Sequence, residues 1–396
     1  MTDSVESATR AAHEDLGRYL LGTGAMTAEW AAAFAAVPRS AFLPDLMWPH
    51  DMATGRCEAV RRKDAPEEWQ RYADSDCPIV TQWDDGAHEG GEPGRSFSSS
   101  SSMPSLVLAM LADLDARPGQ RVLEIGTGTG WNAALLAHRL GADNVASVEV
   151  DDVVASEARE ALKRCGFPVT VVSGDGALGH AELAPYDRVV VTCGVRRIPF
   201  AWVEQTKPGG VVLSPWGTYY GPGEATVRLV VDEDGRSATG PFTRPVAFMR
   251  MRSQRLVRPP HGEYVTAAAS EVAERSTTTV TEAELLGGGG FDAAVGFALG
   301  LRLRDVVHTP DQRRDGRRAV WFYGLTDRSW AVVDFRESRS EARVHQAGPR
   351  RLWDEVESAY RWWVAHGRPD HTRFGLTVLP TGTHAWLDDP AKAWQV

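Results

Sequence analysis

A short apolar strand that runs directly into a glycine-rich turn and then into a helix limits the folds open to this chain. The segment reads Val122-Leu123-Glu124-Ile125-Gly126-Thr127-Gly128-Thr129-Gly130, and a helical pattern follows over residues 131–140. Glycines let a ligand approach the backbone closely, and the first turn of a helix presents free N–H groups. The segment therefore predicts a strand, loop and helix unit with a ligand site at the loop.

Two acidic residues indicate the kind of ligand. Glu149 ends the next predicted strand, 23 residues after Gly126, where a carboxylate can accept hydrogen bonds from both hydroxyls of a ribose. Asp175 follows the third strand and can accept from the exocyclic amine of adenine. The spacing G-x-G-x-G differs from the G-x-G-x-x-G of nicotinamide sites. We expect a nucleoside cofactor; the alternative is that these loops merely turn the chain.

Strands and helices alternate through the middle of the sequence. Predicted strands cover residues 121–125, 144–150, 169–172, 187–192 and 211–214, with helices between them. This alternation predicts an α/β fold with a Rossmann-like, doubly wound and mostly parallel sheet. Residues 227–232 and 246–251 are expected to close the sheet as an antiparallel pair.

The pattern changes on either side of this region. We predict a catalytic domain over residues 1–258 and a smaller α+β domain over 259–396, with hairpins at 318–335 and 374–387 and a helix from Leu352 to Trp363. Residues 48–102 show no lasting periodicity and are rich in Gly, Pro, Asp and Ser. They are interpreted as a flexible linker or as an expanded substrate loop.

Composition excludes several functions. The formal net charge is 43 − 53 = −10, which disfavours nucleic-acid binding as the main role. No apolar run is long enough for a membrane span, and no signal-peptide pattern opens the sequence, so we expect a soluble cytoplasmic protein. The four cysteines form no C-x-x-C pair and no H-E-x-x-H occurs, so we expect no metal. The oligomeric state is left open.

The motifs together resemble class I S-adenosylmethionine-dependent methyltransferases, and within them the protein-L-isoaspartate O-methyltransferases. The resemblance covers roughly residues 36–251. It rests on Val37-Pro38-Arg39, Phe42-Leu43-Pro44, the glycine loop, Gly174-Asp175-Gly176, Tyr186-Asp187-Arg188-Val189-Val190-Val191-Thr192, Lys207-Pro208-Gly209-Gly210 and Pro245-Val246-Ala247-Phe248. It implies S-adenosylmethionine as cofactor, with S-adenosylhomocysteine as product. The cofactor-binding residues are then Glu124, Gly126, Thr127, Gly128, Gly130, Glu149, Asp175 and Gly176.

The resemblance also implies the residues that handle the substrate. The family's serine, in an S-x-P element, falls on Ser102 with Pro104, and a hydroxyl there would steer one oxygen of the reacting carboxylate. The alternative role for Ser102 is an N-cap of the helix that begins at Pro104. The family's preceding G-Q-T-I is replaced by serines 98–101. Ser101, Thr192 and Phe248 are the expected substrate-binding residues.

The C-terminal region is similar to that of an extended branch of the family encoded with ribosomally made peptides of the lanthipeptide and graspetide type. The similarity lies in Phe374-Gly375-Leu376-Thr377-Val378 and His384-Ala385-Trp386-Leu387-Asp388. It implies methylation of one aspartate in a modified precursor peptide, followed by succinimide or isoaspartate formation. The arginine run at 244, 250, 252, 255 and 258 is a solvated edge or a dock for an acidic leader. The alternatives are a general isoaspartyl repair enzyme and a non-catalytic peptide-binding module with a decayed cofactor site.

Overall fold

The structure is a computed structural model that describes residues 2–287 and 294–396. The chain divides into two compact units, each built from separated stretches of sequence. The first unit holds residues 1–193, 199–213 and 230–238, and the second holds 194–198, 214–229 and 239–396. The predicted boundary near residue 258 stays a prediction.

The first unit opens with two helices, α1 (Thr2–Gly22) and α2 (Ala28–Ala36). Helix α2 buries Trp30, Ala33 and Phe34, and Pro38 follows its C-cap. The first unit therefore begins with two helices, separated by residues 23–27.

Residues 46–101 form a small folded layer. Its elements are β1 (Leu46–Pro49), β2 (Val60–Arg61), α3 (Pro66–Ala73), β3 (Ile79–Trp83) and β4 (Phe97–Ser101), and the strand order is β2-β1-β3-β4. Neighbouring strands pair antiparallel. The interpretation of residues 48–102 as a flexible linker is therefore wrong where these strands and this helix form, and their role as an expanded substrate loop stays a prediction. Strands of two to five residues are too short to show a period, and they are held by a core of Met47, Trp69 and Ile79.

A parallel sheet forms the rest of the first unit. Its strands are β5 (Val122–Ile125), β6 (Val145–Glu149), β7 (Thr170–Ser173), β8 (Tyr186–Val191) and the start of β9 (Thr206–Gly217). The accompanying helices are α4 (Pro104–Leu114), α5 (Trp131–Leu140), α6 (Asp152–Arg164) and α7 (Phe200–Glu204). Strand β5 pairs in parallel with both β6 and β8, so the order β9-β8-β5-β6-β7 reverses at β5. In such sheets ligands bind at the carboxyl ends of the strands beside this reversal.

The second unit contains mixed and antiparallel strands. Strands β10 (Glu224–Val231) and β11 (Ala238–Val246) are neighbours in a sheet, and most of each strand belongs to the second unit. Beyond β11 the order continues with β17 (Phe374–Leu379), β18 (Gly382–Leu387) and β19 (Trp394–Gln395). The predicted closing strand at 246–251 is wrong, because the strand lies earlier and ends at Val246. Gly240 and Pro241 inside β11 weaken its strand pattern in the sequence.

A separate five-stranded sheet has the order β12-β16-β15-β14-β13. Its strands are β12 (Glu274–Thr278), β13 (Val306–Pro310), β14 (Arg317–Gly324), β15 (Trp330–Arg336) and β16 (Ala342–Ala347). The helices are α8 (His261–Tyr264), α9 (Ala267–Glu271), α10 (Glu282–Leu286), α11 (Ala294–Arg302) and α12 (Leu352–Ala365). The two predicted hairpins, β14 with β15 and β17 with β18, are confirmed. Among the described helices, none has both the length and the apolar character required to cross a bilayer.

Candidate functional site

The glycine loop after β5 has a backbone that only glycine adopts easily. The φ angles of Gly126, Gly128 and Gly130 are +97°, +53° and +87°. A Cβ on Gly126 would lie 2.6 Å from Thr192 Oγ1, and one on Gly128 would lie 3.3 Å from the carbonyl oxygen of Ser100. The loop therefore lies against the end of β8 on one side and against the serine strand β4 on the other. A side chain at Gly126 would displace Thr192.

Two carboxylates lie at the ends of the neighbouring strands. Glu149 is 8% exposed and accepts hydrogen bonds from the main-chain N–H groups of Gly128 (2.9 Å) and Asp151 (3.1 Å). Asp175 is exposed and accepts from the N–H of Ala177 at 2.9 Å through one of its oxygens. The carbonyl of the adjacent Gly176 accepts from the indole of Trp202 at 2.8 Å. Hydrogen bonds from a nucleoside to these two carboxylates remain a prediction.

Glu124 lies behind the loop. Its carboxylate is fully buried and accepts from Ser147 Oγ at 2.5 Å and from Asn132 Nδ2 at 2.6 Å. Burial raises the pKa of Glu124 to about 7, although both hydrogen bonds favour the ionised form. Thr127 is also buried, and its hydroxyl lies 2.6 Å from that of Ser147. These side chains connect the loop to α5 and β6, and direct contact with a cofactor remains a prediction for both.

Ser102 follows the serine strand and precedes α4. Its side chain is half-buried, and within the described part of the chain its hydroxyl makes no hydrogen bond. The N-cap position of α4 belongs to Met103, and the N–H of Ser105 donates to Asp76 at 2.8 Å. The alternative role of Ser102 as an N-cap is therefore wrong, because a carboxylate from another segment caps this helix.

The three expected substrate-binding residues occupy different surroundings. Ser101 is buried, and its hydroxyl accepts from Arg39 Nε at 2.9 Å. Thr192 is partly exposed, and its hydroxyl donates to the carbonyl of Gly126 at 2.5 Å. Phe248 belongs to the second unit, where its N–H donates to a buried glutamate at 3.2 Å. Their roles toward a substrate remain predictions. The role of Arg39 was missed, although its Val-Pro-Arg motif had been recognised.

Cys193, next to Thr192, is the thiol nearest in sequence to the site. Burial raises its pKa to about 12, with the negative charge of Glu149 acting in the same direction. The thiol therefore stays protonated at neutral pH and is a poor nucleophile. Within residues 2–287 and 294–396, no three His, Cys, Asp or Glu side chains converge as metal ligands would.

The arginine run in the second unit is engaged with its own chain. Arg250 forms an ion pair with the buried Glu224, which also pairs with Arg196 at 2.8 Å. The guanidinium of Arg258 lies 4.7 Å from the ring centre of Tyr323. The other three arginines, 244, 252 and 255, also have partners within the chain. An acidic leader would therefore have to compete with these internal contacts.

The fold and the site together define a protein of the class I methyltransferase fold with a site for a nucleoside-containing cofactor. The glycine loop, Glu149 and Asp175 lie at the carboxyl ends of β5, β6 and β7, which are adjacent parallel strands. A side chain at Gly126 or Gly128 would press against Thr192 or Ser100, and the carboxylates of Glu149 and Asp175 are of the type that accepts hydrogen bonds from a ribose and an adenine. The residues present therefore fit S-adenosylmethionine.

Comparison with known proteins narrows this class. The family model of protein-L-isoaspartate(D-aspartate) O-methyltransferases matches residues 58–239. A protein-L-isoaspartate O-methyltransferase from Ignicoccus hospitalis is 35% identical over 167 residues, which cover 42% of this chain and 72% of the relative. One from Methanopyrus kandleri is 36% identical over 171 residues, covering 42% and 69%. The chain belongs to the protein-L-isoaspartate O-methyltransferase family.

The similarity is limited in extent. A relative from Pyrococcus horikoshii is 42% identical over 135 residues, but the match spans 34% of this chain and 60% of that relative. One solved structure, described as a protein-L-isoaspartate O-methyltransferase, aligns with 95% of this chain and 100% of its own, with a TM-score of 0.54 and 23% identity. That likeness concerns the fold alone, and it includes the region after residue 258.

Proposed function

We propose that this protein transfers a methyl group from S-adenosylmethionine to an aspartate-derived carboxylate in a peptide chain. The proposal rests above all on one observation, that the serine strand lies against the glycine loop, with Ser100 O beside Gly128. The half-buried hydroxyl of Ser102, without an internal hydrogen bond in the described structure, follows that strand. Family membership supports the same activity.

The chemistry asks for positioning rather than for a strong base. The cofactor supplies an electrophilic methyl group, and an aspartyl carboxylate is already ionised at neutral pH because its pKa is about 4. The hydroxyl of Ser102 can donate to one carboxylate oxygen and leave the other free to react. Fixing the reacting groups in this way can contribute several kcal/mol to catalysis. The protonated Cys193 and the internally bonded hydroxyl of Thr192 are not required as bases.

The substrate class we propose is an aspartate of a ribosomally made and modified precursor peptide. Two features support it: the serines of β4 that replace the family's G-Q-T-I, and the C-terminal hairpin of β17 and β18, which is similar to that of peptide-modifying members. After methylation, the following backbone nitrogen attacks the ester carbonyl and forms a C–N bond. Methanol leaves with the amide proton. The resulting succinimide opens with water to aspartate or isoaspartate.

General repair of isoaspartyl residues is the second candidate. The relatives from Ignicoccus hospitalis and Methanopyrus kandleri are described as protein-L-isoaspartate O-methyltransferases. The aligned structure of that description also extends over the C-terminal region, so an extension by itself does not distinguish the two substrates. The substrate must therefore be determined with peptides.

Two substrates offered to one protein preparation separate these candidates. The first is a synthetic isoaspartyl peptide of arbitrary sequence, and the second is a ribosomally made precursor peptide that carries its other modifications, chosen from any precursor gene found beside this one. We expect methylation of the precursor at a single aspartate and slow turnover of the synthetic peptide. Efficient turnover of several unrelated isoaspartyl peptides would instead establish repair. The aspartyl isomer of the synthetic peptide is the control.

A further inference from the structure

Arg39 is a buried cation without a carboxylate partner in the described structure. It is 1% exposed, and its guanidinium donates to main-chain and hydroxyl oxygens rather than forming an ion pair. Burial lowers its pKa to about 10, while the negative charges of Asp76 and Asp74 act in the opposite direction, so it remains charged at neutral pH. Burying a charge among neutral acceptors is costly unless those acceptors are well placed. The positions of these acceptors show which segments of the chain Arg39 connects.

Two of the four hydrogen bonds go to one residue, Ser101. Arg39 Nε donates to its hydroxyl at 2.9 Å, and Nη2 donates to its carbonyl oxygen at 2.7 Å. The others go to the carbonyls of Ser75 (3.3 Å) and Cys77 (2.9 Å), which precede β3. Ser101 is the last residue of β4 in register with β3, opposite Ile79. Arg39 therefore binds the chain at the end of the pairing between β3 and β4.

The carbonyl bound by Nη2 belongs to the peptide group that joins Ser101 to Ser102. Ser102 itself lies outside both β4 and α4. A peptide group held at its oxygen cannot rotate freely, so the direction in which the Ser102 side chain leaves the backbone depends on Arg39. No other side chain in the described structure donates to this carbonyl.

The same segment contacts the helix that follows the glycine loop. The indole of Trp131, the residue after Gly130, donates to the carbonyl of Val37 at 3.0 Å. The guanidinium carbon of Arg39 lies 5.8 Å from the centre of the Trp131 ring, within reach of a cation–π contact. Residues 37–39 thus contact both the serine strand and the start of α5.

We propose that Arg39 is a positioning residue that sets the orientation of Ser102 relative to the glycine loop by holding the Ser101–Ser102 peptide group. The proposal rests on the methyl-transfer function given above. It predicts that loss of the guanidinium changes the rate of the chemical step more than cofactor affinity, because the glycine loop, Glu149 and Asp175 keep their own contacts.

The test compares Arg39→Lys with Arg188→Lys. Both arginines are buried and donate to main-chain carbonyls, but the acceptors of Arg188 are Leu114 and Asp115. Arg188 pairs with the first residue of β5, so it lies at the end of that strand away from the glycine loop. A lysine keeps the charge but cannot reach several acceptors at once. We expect both variants to melt earlier. Only Arg39→Lys should lower kcat, by about 10- to 100-fold, with cofactor Kd within about twofold of wild type.

Hydrogen exchange provides a second readout that is independent of activity. Arg39→Lys should speed exchange in residues 97–103, whereas Arg188→Lys should leave that segment as in wild type. If the wild type methylates no peptide, the proposed function fails, and the exchange data still decide whether Arg39 holds the segment. Unchanged exchange in Arg39→Lys, or an equal loss of kcat in both lysine variants, would overturn the proposal.

Ser101→Ala keeps the test valid if Arg39→Lys does not fold. It removes the hydroxyl acceptor of Nε and leaves the carbonyl contact of Nη2 in place. We expect Ser101→Ala to lower kcat and to speed hydrogen exchange in residues 97–103, because Arg39 then holds this segment through the carbonyl alone. Normal kcat and normal exchange in Ser101→Ala, where the lysine variant is unfolded, would reject the role of Arg39 at this residue.

Discussion

Removing the hydroxyl of Ser102 tests whether this residue contributes to catalysis or to stability. Because Met103 occupies the N-cap of α4 and Asp76 accepts from Ser105, removing the hydroxyl leaves the helix cap intact. We expect Ser102→Ala to lower the single-turnover rate of methylation by at least about tenfold, with cofactor Kd and melting temperature close to wild type. Ser98→Ala is the control, since Ser98 donates to Gln82 at 2.8 Å, farther along the same strand. A normal rate in Ser102→Ala would assign the steering role elsewhere.

The buried carboxyl of Glu124 should make the free energy of unfolding depend on pH. Burial raises its pKa to about 7 in the folded chain, whereas a glutamate in an unfolded chain titrates near 4.3. The folded state therefore binds this proton more tightly. Its contribution to the free energy of unfolding is fully present below about pH 4 and is lost as the pH rises through about 7. At 1.36 kcal/mol per pKa unit, the loss is on the order of 4 kcal/mol.

Glu124→Gln removes this dependence while keeping the shape of the side chain. Its amide oxygen can accept from Asn132, and its amide nitrogen can donate to the hydroxyl of Ser147. In urea unfolding, the variant should gain stability relative to wild type between about pH 5.5 and about pH 8. A difference that stays constant over this range would show that Glu124 does not titrate there.

Individual residues were predictable from sequence where backbone geometry requires a particular residue. Gly126 and Gly128 were found because their positive φ angles and close neighbours demand glycine. The cap of α4 could not be found, because Asp76 lies 29 residues before Ser105 and no local pattern connects them. The acceptors of Arg39 were hidden for the same reason, since Ser101 is 62 residues away.

At the scale of elements, substitutions at the carboxyl ends of β6 and β7 test the cofactor site. Glu149→Gln and Asp175→Ala each remove a charged acceptor without opening the core. We expect each to weaken S-adenosylmethionine binding by about 10- to 150-fold, which corresponds to about 1.5–3 kcal/mol. Titration calorimetry measures the affinity directly.

Asp389→Ala is the matched control for Asp175→Ala. Asp389 also begins a short helical turn and accepts from a main-chain N–H, that of Ala391, at 2.9 Å, but it lies in the second unit. Its loss should cost stability without changing cofactor affinity. Unchanged affinity in both site variants, with both proteins folded, would contradict the assignment of the cofactor site.

The parallel strands of the first unit were predictable because they are continuous apolar runs between helical patterns, as β5 and β8 are. The layer over residues 46–101 was not. Its strand β4 contains four serines, which have little strand preference, and it is stabilised by pairing with β3. Tertiary pairing therefore overrides local composition there.

At the scale of the whole molecule, the second unit is assembled from segments on both sides of residue 258. Phe242 in β11 lies 4.9 Å, ring centre to ring centre, from Phe297 in α11, and Phe297 lies 6.2 Å from Phe374 in β17. A chain cut after residue 258 would leave Phe242 without these partners and β11 without its neighbour β17. The sequence could not show this interleaving, because apolar periodicity does not record which distant strands pair.

We therefore expect a 1–258 fragment to lack a cooperative unfolding transition in calorimetry. In the full chain, Phe297→Ala should lower the free energy of unfolding by about 3–5 kcal/mol, as large-to-small changes in a packed core do. A 1–258 fragment that unfolds cooperatively and binds the cofactor with normal affinity would show that the C-terminal segments are dispensable for folding.

Methyl transfer to a carboxylate produces an ester, so the stability of the product bond in alkali tests the proposed function directly. The protein is incubated with methyl-labelled S-adenosylmethionine and either the modified precursor or an isoaspartyl peptide, and the isolated peptide is then brought to alkaline pH. A carboxyl ester releases its label as methanol under these conditions, whereas N-methyl and S-methyl groups keep it. We predict labelled methanol, lost during the incubation as the ester closes to the succinimide or released from the isolated peptide in alkali, and much less of it from Asp175→Ala at equal cofactor concentration. Label on the peptide that survives alkaline treatment, or neither labelled peptide nor labelled methanol from protein that binds the cofactor, would contradict methyl transfer to a carboxylate.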